Sequence, residues 1–98
     1  MSNSKLDRGQ KIERKEMMQT LTDCGGYILA SGYVGRTVVI CPVFEGSRMV
    51  TVSVSNMSPD EEKFRSKVGE YWALSNWLDG RSIQLPADLD FCDSLYMV

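Results

Sequence analysis

At 98 residues the chain has room for one modest hydrophobic core and none for a second domain. Apolar residues at 43% and charged residues at 24% are ordinary globular usage, which excludes disorder and fibrous repeats. Eleven Lys and Arg against 13 Asp and Glu leave a net charge of −2, too balanced for a general nucleic-acid binder and too weak for a DNA mimic.

No apolar run approaches the roughly 18 residues of a membrane span, and the opening MSNSKLDRGQKIERKEMM has no apolar segment of signal-peptide type. The expectation is a cytoplasmic protein without membrane contact. Cys24, Cys41 and Cys92 are odd in number and widely spaced, with no C-x-x-C pair, which points to buried reduced thiols and not to a disulfide framework. Charge is unevenly spread, with five bases and three acids over residues 1–22 against one base and four acids over 79–98.

In chain order, residues 1–9 are polar and end at Gly9, which predicts a flexible arm. Helical composition follows from about Gln10 to Asp23, with Met17, Met18 and Leu21 as its apolar edge, Ile12 off that edge, and Gly25-Gly26 as the stop. Three strands are predicted next, over 26–33, 36–44 and 49–56, joined by Val34-Gly35 and by EGSR. Val50, Val52 and Val54 alternate with polar residues, giving that strand one buried face. The middle strand is apolar on both sides, Val38 and Ile40 on one and Val39, Cys41 and Val43 on the other, so it belongs at the centre of a covered sheet, with pairing weakened near Pro42.

Ser58-Pro59-Asp60-Glu61 reads as a capping box, which predicts a helix from 59 to about 78 closed by Asp79-Gly80. RSIQLP (81–86) has room for a short further strand, and 87–98 is an acidic-hydrophobic tail. The fold class is therefore α+β, a three- to four-stranded antiparallel sheet packed by two helices in the order α-β-β-β-α, occupying residues 10–86.

At about 100° per residue, Phe64, Val68, Tyr71, Ser75 and Leu78 form the core stripe of the second helix, with Trp72 and Leu74 on its shoulders. Trp77 falls on the far side beside Ser66, Gly69 and Ala73, three small residues that would let another backbone approach closely. Their cover is either the chain itself, through the first helix or the tail around Phe91, Leu95 and Tyr96, or a second chain docking on Trp77, a hot-spot residue type.

The sequence has no histidine, which removes the commonest general base and metal ligand, and no phosphate-binding glycine motif. Asp60, Glu61 and Glu62 are accounted for by the helix N-terminus; Asp88, Asp90 and Asp93 read as solvated tail residues; and Cys24 near a helix C-terminus is poorly placed for a thiolate. No catalytic set, metal site or cofactor is expected. Tyr27, Tyr33, Arg36 and Arg48 mix aromatic and guanidinium groups that suit base stacking or a protein interface. The element order over about residues 10–79 resembles that of the double-stranded-RNA-binding domain. That family carries a lysine cluster at the start of its last helix. Here the place is taken by Asp60-Glu61-Glu62, followed by Lys63, Arg65 and Lys67 in diverging directions, which counts against RNA binding. Tyr96-Met97-Val98 has the form of a C-terminal peptide ligand, but three residues specify little.

The sequence thus points to a non-enzymatic protein-binding module, a small regulator or inhibitor of a viral or mobile-element accessory type, docking on a larger protein or on a second copy of itself. Its candidate contacts are Trp77, Ala73, Gly69, Ser66, Tyr33 and Arg36. The alternative is nucleic-acid binding through Tyr27, Tyr33, Arg36 and Arg48 with Arg14 and Lys15 of the basic N-terminal segment.

Overall fold

A computed structural model describes residues 5–32, 34–57 and 63–87. Two helices, α1 (Arg8–Asp23) and α2 (Ser66–Leu78), pack with strands β1 (Tyr27–Ser31), β2 (Arg36–Pro42), β3 (Met49–Asn56) and β4 (Ile83–Pro86) in one sheet of order β1-β2-β3-β4, antiparallel throughout. The α+β architecture and the fourth strand agree with the sequence reading. β2 ends at Pro42, where the missing amide hydrogen would break the ladder.

α1 begins two residues earlier than composition suggests. Asp7 is its N-cap: the Asp7 carboxylate accepts from the Gln10 amide at 2.8 Å, and the Gln10 side chain accepts from the Asp7 amide at 3.0 Å, a reciprocal capping box. Just before the cap, Leu6 is buried in the core. The segment 5–9 is thus part of the folded domain and not an arm; residues 1–4 lie outside the described residues. Both helices stop in the same way. Gly25 and Gly80 have φ near +80°, and the amides of Gly26 and Arg81 reach back to the carbonyls of Leu21 and Asn76, satisfying the last turn.

α2 starts at Ser66 because Arg65 is extended, at φ −118° and ψ 109°, and no side chain caps the helix. Phe64, expected in the helical stripe, instead lies half-buried ahead of the helix, beside Gly32 and Gly69. The predicted capping box at Ser58–Glu61 lies outside the described residues.

β2 is the core of the molecule. Thr37, Val38, Val39, Ile40 and Cys41 are all almost completely buried, as a strand covered on both sides requires. Val39 and Cys41 join Leu6, Met17, Leu21, Tyr71, Ala73 and Leu74 beneath the two helices. On the opposite face Val38 and Ile40 cluster with Val50, Val52, Leu29 and Leu85. Register places Tyr27, Val54 and Ile83 in the same rows as this second cluster, and all three are exposed.

The buried side of α2 differs from the expected one. Ala73 is fully buried, Trp77 packs on the core cluster, and a methyl group at Gly69 would collide with Thr37 Oγ1 of β2, whose Cβ lies 3.2 Å from that position. Leu78, expected inside, is 52% exposed. The small residues do allow a close backbone approach, and the body that approaches is the chain's own sheet. Toward α1, Tyr71 donates to Glu13 at 3.3 Å, and Arg14 pairs with Glu70 at 3.0 Å.

Two consequences can be measured by urea unfolding. Gly69→Ala should lower stability by about 1–3 kcal/mol through overpacking against Thr37, despite the roughly 1 kcal/mol that alanine adds to helix propensity. Combining it with Thr37→Ala should cost less than the sum of the two single changes, and additive losses would refute the contact. Leu6→Ala should cost about 2 kcal/mol or more if Leu6 belongs to the core, whereas an arm residue would cost nothing.

Candidate functional site

The residues singled out by sequence do not gather in one place. Gly69 and Ala73 are inside the domain. Ser66 is exposed at the start of α2, while Trp77 lies near its end, more than ten residues along the helix. Arg36 begins β2, at the far end of that strand from the groove beside Trp77, and donates through Nε to Asn56 Oδ1 at 2.8 Å. Tyr33 lies outside the described residues. The alternative set is equally dispersed: Tyr27 is 50% exposed at the start of β1, Lys15 is exposed on α1, Arg48 is exposed in the β2–β3 connection, and Arg14 is held by Glu70.

Two concavities bring other residues together. The first is an open groove of about 470 Å³ where the end of α1, the ends of β2 and α2, and the β2–β3 connection meet. Trp77, Pro42, Val43 and Phe44 supply its apolar surface, Cys24 and Cys41 lie along it, and Asp23 and Glu45 are its acids. Local chemistry explains the shape. Pro42 ends the paired strand, and the chain then turns through Phe44–Ser47, closed by a hydrogen bond from the Ser47 amide to the Phe44 carbonyl at 3.0 Å, with Gly46 at φ +79°. That turn leaves Phe44 67% exposed. Phe44 and the half-buried Trp77 thus line one groove.

The second concavity, about 560 Å³, lies at the other end of α2. It is lined by Lys5, Lys11, Lys63, Arg65 and Lys67, five of the chain's eleven cations, together with Leu6, Phe64 and Val68, and among the described residues no acid lines it. Arg65 Nε is buried and has no hydrogen-bond partner among the described residues. The expectation that Lys63, Arg65 and Lys67 diverge fails for one reason. Lys63, Phe64 and Arg65 precede the helix, so helical angles do not apply to them. Lys5 and Lys11 arrive through the early start of α1, a convergence that spacing along the sequence does not signal.

Among the described residues no group of three or more His, Cys, Asp or Glu side chains is placed to hold a metal ion, and no helix is long and apolar enough to cross a membrane. Asp88, Asp90, Asp93, Cys92 and the residues Tyr96–Val98 lie outside the described residues. Burial, first, and the neighbouring Cys24 side chain, second, push the Cys41 thiol pKa up. Comparison with protein-family models, with curated proteins and with solved structures finds no match.

Proposed function

We propose that the chain is a non-enzymatic protein-binding module, a small regulator or inhibitor that docks on a larger protein through the groove between Trp77 and Phe44. The observation that carries this reading is that the exposed Phe44 and Val43 line one concavity with the partly buried Trp77. Aromatic side chains with fixed surroundings lose little entropy on binding, and a concave apolar site flanked by acids suits an apolar residue with a basic neighbour. Of the contacts suggested by sequence, Trp77 is retained. Gly69 and Ala73 serve the fold and not a partner.

A second reading, nucleic-acid or other polyanion binding, is favoured by the five cations at the start of α2. They would contact phosphate groups by charge and not by base, which is consistent with a chain of small net charge that concentrates its bases locally. Tyr27 and Arg48 take no part in that site.

Phe44→Ala separates docking from folding, because Phe44 is outside both core clusters. In affinity capture from the native host, the partner recovered by the unaltered chain should be lost with Phe44→Ala and retained with Ile12→Ser, an exposed apolar change on another surface. A loss of about 2 kcal/mol, roughly thirtyfold in affinity, is expected of an anchor. Equal recovery by all three proteins would dismiss the groove. For the second reading, anisotropy of labelled duplex RNA and single-stranded DNA should show binding that weakens steeply with salt and is removed by Lys63→Glu with Lys67→Glu, but not by Tyr27→Ala. Absence of binding at low salt would end that reading.

A further inference from the structure

We propose that Cys24 and Cys41 form a dithiol pair that a low-molecular-weight disulfide, such as glutathione disulfide, converts to an internal disulfide across the end of the groove. This inference does not depend on what the groove binds. Cys24 caps the C-terminus of α1, and the Cys41 Sγ lies 4.0 Å from the Cys24 carbonyl oxygen. The two residues are 17 positions apart in sequence, yet both line the same concavity.

The backbone around them explains the proximity. After Cys24 the chain is pressed onto β2. A methyl group at Gly26 would meet the Ile40 carbonyl at 2.8 Å, and Tyr27 pairs with Ile40 in the ladder. Cys24 is therefore delivered beside Cys41 by the stop of α1 and the start of β1. The cap itself is fixed by the amides of Cys24, Gly25 and Gly26, which donate to the carbonyls of Thr20, Thr22 and Leu21, so Cys24 is held at this place beside β2.

The two thiols have different roles. Cys24 is exposed and Cys41 is buried. Although the C-terminus of α1 disfavours a thiolate there, Cys24 is the accessible thiol: it gives up its proton, its sulfur attacks one sulfur of the small disulfide to form a mixed disulfide, and the thiolate released takes up a proton. Cys41 then gives up its proton, attacks the Cys24 sulfur and displaces the second small thiol. Two protein thiols and one glutathione disulfide become one protein disulfide and two glutathiones, with electrons balanced. The raised pKa of Cys41 makes it slow to attack first and leaves Cys24 as the point of entry.

The test uses the full chain with Cys92→Ser, so that two thiols remain. Folded protein is incubated with glutathione disulfide, quenched in acid, and its mass read without reduction. The expected product is a monomer lighter by two hydrogen atoms, with Cys24 and Cys41 in one linked peptide and the bond reversed by a dithiol reductant. With Cys41→Ser added, the reaction should stop at one glutathione on Cys24, and that adduct supports the order of attack. Accumulation of glutathione adduct without the linked peptide in the Cys92→Ser protein would overturn the proposal. So would dimers linked between chains, or a link that forms only after unfolding in urea.

Discussion

Everything in this domain is built on one close approach, α2 lying on β2 with no side chain at Gly69 to hold it off Thr37. That contact covers the helix side of the central strand. It allows Ala73 and Leu74 to reach full burial beside Val39. It also leaves a cost in place, because Thr37 Oγ1 and Ser53 Oγ are buried without hydrogen-bond partners among the described residues. Unsatisfied hydroxyls of this kind are tolerated only where packing compensates. A strand with both faces dry is the natural site for that compensation, and β2 has apolar clusters on each side.

The same approach sets where the concave surfaces fall. A helix pressed onto the sheet must end somewhere, and each end of α2 leaves a hollow against its neighbours. At the C-terminal end the hollow is bounded by the end of α1 and the turn after Pro42, so its lining is apolar and aromatic with two acids and two thiols. At the N-terminal end the non-helical segment 63–65 and the start of α1 bring cations together. One end of the helix therefore faces an apolar, mildly acidic groove and the other a basic one. The separation matters for a chain of small net charge, because local fields and not the total decide what each surface attracts.

Much of the fold was legible in the sequence. Alternating valines in β3, the doubly apolar run in β2 and the glycines after each helix are short-range signals, and each points to an element that exists, although α2 starts at Ser66 and not at 59. Less was legible in the sites. A helix running from 59 places Phe64 and Leu78 on its inner stripe and Gly69 and Ala73 on the far side. In the folded chain Gly69 and Ala73 are the residues nearest the sheet, since close packing favours the smallest side chains where backbones meet. Asp7 and Gln10 were a readable capping pair that composition alone passed over.

By itself the sequence determined the class of the molecule, the order of its elements, the centrality of β2 and the want of histidine chemistry, because those follow from local periodicity, turn residues and composition. Tertiary structure alone decided which side of α2 is interior, that Cys24 meets Cys41, and that cations from two widely separated stretches share one hollow. These are juxtapositions of residues far apart along the chain. They depend on where a helix stops and how closely two backbones can approach, and no spacing within a single segment encodes that distance.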